Sequence, residues 1–203
     1  MTKTIGALIF PGFELLDLFG PLEMFGMLED APQIRMVAER NQPVPSRQGP
    51  ASVVDQTFAA GVEFDLLLIP GGPGTRTEVE NKKLLDWIGE AADASSLVTT
   101  VCTGSALLAR TGRLDGVGAT SNKAAFAWVM QQGPAVDWKA EARWVEDGKF
   151  MTSSGVSAGM DMALAAIQRL YGAEEAERVA TRTEYSWNND PTWDPFAKVH
   201  GLV

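Results

Sequence analysis

The chain has 203 residues, 45% of them hydrophobic, with a formal net charge of -9, one cysteine and one histidine. This length supports one well-cored domain, and the negative balance repels nucleic-acid backbones and anionic membrane surfaces, leaving small molecules or proteins as partners. A single cysteine excludes an internal disulfide framework and a multi-cysteine metal site; no metal and no cofactor are expected.

Lys3 to Phe10 reads as a first buried strand rather than a signal peptide, because its apolar run breaks at Pro11-Gly12 without a small-residue cleavage pattern. No stretch reaches the roughly twenty apolar residues that span a bilayer, and the expected location is the cytoplasm. A helical turn over Phe13 to Phe19 is expected to stop at Gly20-Pro21, with Pro21 opening a second helix to about Leu28. Asp17 stands out among Leu15, Leu16, Leu18 and Phe19, either as an ordinary outward acid or as a buried one with a partner. Gln33 to Glu39 is a strand, Arg40 to Pro50 a loop, and Ser52 to Thr57 a weaker strand.

Asp65 to Pro70 is a continuous apolar run without alternation, the pattern of a central parallel strand covered on both faces, and it runs into Gly71-Gly72-Pro73-Gly74. No Lys-Ser/Thr pair follows, so this is not a phosphate loop; its glycines either form a turn or aim amides at a reacting atom. Asn81 to Ala94 is an amphipathic helix capped by Asn81.

The run Leu97 to Val101 is a short buried strand, and Ser105 to Arg110 is helix-forming, with Cys102, Thr103 and Gly104 between them. A lone cysteine often serves only as a small buried hydrophobe. On a strand-to-helix turn, however, the side chain meets the unpaired amides of the helix start, which favours an exposed nucleophile with a pKa below the usual value of about 8.5.

A short strand at Gly118 to Thr120 and a helix over Lys123 to Gln131, capped by Asn122, come next. Arg143 to Thr152 alternates around Asp147-Gly148 and reads as a hairpin. Helices are expected over Ala158 to Tyr171 and Ala173 to about Tyr185. The domain therefore covers 1–185. The tail 186–203 has no helical or strand period, but its Trp187, Trp193 and Phe196 are expected to pack on the domain or on a partner subunit. His200, in this tail, is expected in a solvent or packing role.

Strands alternating with helices give an α/β fold with a mostly parallel sheet, which holds ligands at the carboxyl ends of its strands. Four segments carry a resemblance: Phe10-Pro11-Gly12 through Asp17-Leu18-Phe19-Gly20-Pro21, Ile69-Pro70-Gly71-Gly72, Val101-Cys102-Thr103-Gly104-Ser105, and Thr152-Ser153-Ser154-Gly155-Val156-Ser157-Ala158-Gly159. Together they resemble the ThiJ/PfpI superfamily, related to class I glutamine amidotransferases. The resemblance implies a flavodoxin-like three-layer sandwich, a nucleophile at Cys102, an acidic partner at Asp17, and backbone amides of Gly72 and Thr103 facing developing negative charge. It also implies a homodimer, with Gly71, Ser121, Asn122, Glu184 and Tyr185 lining the pocket.

Asp17 and Cys102-Thr103-Gly104 look most like isocyanide hydratases. Thr103 stands where peptidase-like members have histidine, and the histidine of a Thr-His-Trp segment is absent at Thr120-Ser121-Asn122-Lys123. The implied activity is a cysteine-dependent hydratase or lyase acting on a small electrophilic substrate. The alternatives are a redox-responsive stress protein and a glutathione-independent glyoxalase. A DNA-binding regulator is disfavoured by the charge and by the absence of residues for a helical reading module.

Overall fold

A computed structural model describes residues 3–203; the first two positions of the domain expected over 1–185 lie outside the described residues. The strands are β1 (Thr4–Leu8), β2 (Gln33–Ala38), β3 (Val44–Pro45), β4 (Ala51–Ser52), β5 (Gln56–Thr57), β6 (Leu66–Ile69), β7 (Leu97–Val101), β8 (Gly118–Ala119), β9 (Asp137–Trp138), β10 (Trp144–Asp147) and β11 (Phe150–Ser153). The helices are α1 (Leu15–Gly26), α2 (Thr75–Glu78), α3 (Lys82–Ala94), α4 (Gly104–Arg110), α5 (Phe126–Gln132), α6 (Ala158–Tyr171), α7 (Ala173–Arg182) and α8 (Pro195–Val199).

The main sheet has the order β10-β11-β7-β6-β1-β2-β5 and is parallel throughout except for the β10–β11 hairpin. Its centre is as apolar as the sequence predicts: every residue of β6 and β7 is buried. Covering such a strand on both faces requires two helical layers. One contains α1, α6 and α7 packed on one another; in the other, α4 contacts α2, α3 and α5. The result is the expected flavodoxin-like three-layer sandwich.

Several helices differ from the sequence reading: α5 starts at Phe126 after Ala125 rather than at Lys123 after an Asn122 cap, α7 ends at Arg182, α2 is additional, and the largest differences are in α1 and the tail. The segment 15–26 is one helix with Pro21 inside it, rather than a turn and a second helix. Pro21 is buried, as are Leu18, Leu22 and Phe25, and Gly20 lies so close to α6 that a Cβ there would meet Met160 Cγ at 2.9 Å. Packing against α6 outweighs the backbone bond that an internal proline removes. In the tail, expected to be aperiodic, Asp194 accepts from the Phe196 amide at 3.0 Å and starts α8 with Pro195 in its first turn. That short helix has a cap and a proline signal but too few residues to display a period.

The tail packs on the domain through a buried acid. Asp161 accepts from Arg143 Nε at 2.7 Å, from Tyr185 OH at 3.0 Å and from the Asn188 amide at 3.0 Å, while its carbonyl accepts from Trp187 Nε1 at 3.1 Å. Asp161 is fully buried and Arg143 nearly so, which makes each dependent on the other for its polar partners.

Candidate active site

The turn between β7 and α4 holds Cys102 in a left-handed conformation, with φ 57°. Such a backbone is costly for a residue with a side chain and persists where the surroundings fix it. Here the Cys102 amide donates to the Ser153 and Ser154 carbonyls at 3.2 and 3.1 Å, and its carbonyl accepts from Ser105 Oγ at 3.1 Å and Ser121 Oγ at 2.8 Å. The side chain is thereby lifted off the end of the central strand, and the residue retains 6% exposure.

Asp17, in the first turn of α1, is fully buried. Its Oδ2 accepts from the Gly71 amide at 3.0 Å, and Oδ1 has no hydrogen-bond partner among the described residues. Gly71 is required for this approach: a Cβ would lie 2.5 Å from the Thr103 nitrogen and 2.8 Å from Asp17 Oδ2. Burial raises the Asp17 carboxyl pKa from 3.8 to about 7, with a smaller push from the Glu14 charge, against the lowering effects of the Gly71 amide and the Cys102 thiol.

The thiol is not acidified, contrary to the expectation drawn from its position at a helix start. Burial pushes its pKa up and the Asp17 carboxylate adds repulsion; the amides of Thr103 and Val156, which point at the sulfur, only partly compensate. The amides that meet the sulfur therefore differ from the expected pair. Thr103 is one of them, but the Gly72 amide is committed to Thr103 Oγ1 at 3.0 Å, and Val156 takes the second place. Val156 also has a left-handed backbone, φ 44°, which turns its amide inward. The sequence carries no side-chain signal for this role, only the small residues Gly155 and Ser157 around it.

Of the other expected pocket residues, Gly71 and Ser121 act directly on the pair, holding Asp17 and the Cys102 carbonyl. Asn122 caps the Ala125 amide at 3.0 Å and, with Lys123, Ser154, Val156, Phe196 and His200, lines a cavity of about 230 Å³ beside the elbow. His200, itself exposed, is thus carried to the rim of that cavity by α8. Glu184 and Tyr185 are elsewhere. They line a separate open depression with Glu177, Thr181 and Trp187, because the Tyr185 hydroxyl is tied to Asp161. Among the described residues, no cluster of three or more His, Cys, Asp or Glu could hold a metal ion, and no helix is long and apolar enough to cross a membrane.

The DJ-1/PfpI family model matches residues 3–169, a span that contains Asp17, Gly71, Cys102 and Val156. The chain belongs to the DJ-1/PfpI family. Within that family it is 35% identical to the isonitrile hydratase of Pseudomonas putida over 188 residues, 92% of this chain and 80% of that protein. A solved ThiJ/PfpI family protein from Pseudomonas syringae superposes with a TM-score of 0.84 at 32% identity, covering 96% of this chain and 78% of the other. Similarity also extends to the transcriptional regulator GbdR of Pseudomonas aeruginosa, 29% identical over 177 residues; there the chain spans 48% of the relative's length. In this chain Cys102 is followed by Thr103 rather than by a histidine.

Proposed function

We propose that the protein hydrates an isonitrile to the corresponding N-substituted formamide, with Cys102 as nucleophile and Asp17 as proton carrier. The observation that carries this reading is the buried pair itself: a thiol facing a carboxyl group whose pKa is about 7, with one carboxyl oxygen unpartnered. Similarity to an isonitrile hydratase over most of both chains supports the choice of substrate.

Ionised Asp17 takes the proton from the thiol as sulfur attacks the terminal carbon of R–N≡C, and returns it to that carbon. One S–C and one C–H bond form, one S–H bond breaks, and the product is the thioimidate R–N=CH–S–Cys. Asp17 then accepts a proton from water as the water oxygen adds to the same carbon, and passes that proton to the nitrogen, which gives R–NH–CH(OH)–S–Cys. Collapse of the adduct breaks the C–S bond and the O–H bond, the hydroxyl proton passing through Asp17 to sulfur, which releases R–NH–CHO and restores the thiol. The Thr103 and Val156 amides stabilise charge on sulfur during attack and departure.

The test follows formamide formation from cyclohexyl isonitrile by native protein, Cys102→Ala and Asp17→Asn. Multiple turnovers by native protein, none by Cys102→Ala and a loss of about a hundredfold in Asp17→Asn are expected. Turnover by Cys102→Ala would overturn the mechanism.

The assembly we propose is a homodimer. Leu16 and Phe19, at 39% and 43% exposure, give α1 an apolar outer face next to Asp17, which a second copy would cover. The lone free thiol suits a reducing, cytoplasmic setting.

A further inference from the structure

The cations around Cys102 differ in their partners: the buried Lys123 ammonium donates to Thr120 Oγ1 and the Ala142 carbonyl, at 2.8 and 2.6 Å. Arg47 pairs with Glu14 and Arg110 with Glu80, at 3.7 and 3.4 Å. Arg76, exposed at the start of α2, forms no ion pair among the described residues. Its Cζ lies 3.4 Å from the centre of the Trp128 ring, a stack that fixes the guanidinium plane, and its Nη1 donates to Thr75 Oγ1 at 3.1 Å. Thr75 Oγ1 in turn lies 3.1 Å from Thr103 Oγ1, on the residue next to the nucleophile. Two hydrogen bonds thus tie the guanidinium to the elbow, and its remaining N–H donors have no partner among the described residues. Burial lowers the Arg76 pKa, and the Cys102 charge opposes that shift, which places the cation within electrostatic range of the sulfur.

A chain of net charge -9 repels anions in general. A rigid, unpaired guanidinium beside its nucleophile reverses that preference locally, and a guanidinium fork matches a carboxylate. Neither Asp17, buried beneath the thiol, nor Glu14, already paired with Arg47, competes for it.

We infer that Arg76, held flat on Trp128 beside Cys102, is the anion-recognising group of the substrate site, and that the substrate is an isonitrile carrying a carboxylate on its nitrogen substituent. This rests on the hydratase reading for the reaction but not for the anion site. The carboxylate accepts from the free N–H groups of Arg76, and the isonitrile carbon is presented to the sulfur.

Two measurements separate the two ideas. The first compares kcat/KM for isocyanoacetate and for its uncharged methyl ester, in native protein and Arg76→Met. Native protein should favour the acid, and Arg76→Met should lose about tenfold or more on the acid and less than about twofold on the ester. The ester activity also reports that the variant is folded.

The second compares Cys102 alkylation by iodoacetate with that by iodoacetamide, a ratio independent of turnover and of thiol pKa. Arg76→Met should lower the ratio by about tenfold. An unchanged ratio, or equal losses on acid and ester, overturns the Arg76 site. A changed ratio without turnover of either isonitrile upholds the anion site and overturns the hydratase reading together with the isonitrile as substrate.

Discussion

Replacing Asp17 with Asn retains the shape of the carboxyl group and its acceptor for the Gly71 amide but removes its titration. In the unfolded chain the acid ionises near 3.8; folded, it holds its proton to about 7. Below pH 3.8 both states are protonated and the group does not affect stability. Between the two values the folded state binds the proton and the unfolded state does not, so stability falls as pH rises and levels off above 7. At about 1.4 kcal/mol per pH unit the whole displacement corresponds to about 4 kcal/mol. Full burial of the side chain leaves little solvent to screen it.

Urea unfolding of native protein and Asp17→Asn at several pH values isolates this effect, because the other titrating groups are common to both. Between about pH 5 and pH 8 the native protein should lose about 2 to 3 kcal/mol relative to the variant. Parallel stability profiles would refute the assignment of a raised carboxyl pKa, and with it the supply of a proton carrier that changes state near neutrality.

Ultraviolet titration of the single thiol should give a midpoint above the usual value of about 8.5, and Asp17→Asn should lower it by removing the carboxylate repulsion. Gly71→Ala should destabilise the fold by about 3 kcal/mol and abolish turnover, since its Cβ would collide with the Thr103 backbone and Asp17; calorimetry and the hydration assay read the two effects. Arg143→Met leaves buried Asp161 without its guanidinium, and a loss of about 3 to 5 kcal/mol is expected together with faster proteolysis of the segment after Tyr185.

The sequence makes the central layer plain because its physics is local. The unbroken apolar run of β6 and the Val/Thr run of β7 have one stable use, burial on both faces, and Asn81 announces α3 by accepting from the Leu84 amide at 3.3 Å. Pro21 misleads because its local cost is visible while the packing that offsets it, Gly20 against Met160 and Pro21 against Gly159, involves a helix more than a hundred residues later. Cys102 is legible as a turn residue, but its acidity depends on two tertiary quantities, burial and the position of Asp17. Asp17 itself becomes a site residue through the family resemblance, since an isolated acid among leucines reads more readily as an outward surface group, and the structure instead buries it fully. Val156 contributes only a backbone amide in an unusual conformation, and nothing in its side chain records that.

The wiring of the sheet also governs when the site can come into being. Val101 is paired with Ser153 and the Cys102 amide with the Ser153 and Ser154 carbonyls, while Asp17 reaches Gly71 across 54 positions of sequence. Parallel strands joined over such distances close late, because loop entropy is lost before the contacts form. Cys102 therefore acquires its native surroundings, and its native alkylation rate, only when β1, β6, β7 and β11 have all docked. In a chain with one thiol, pulsed alkylation during refolding then acts as a clock for that last event, timing the completion of the sheet rather than the collapse that precedes it.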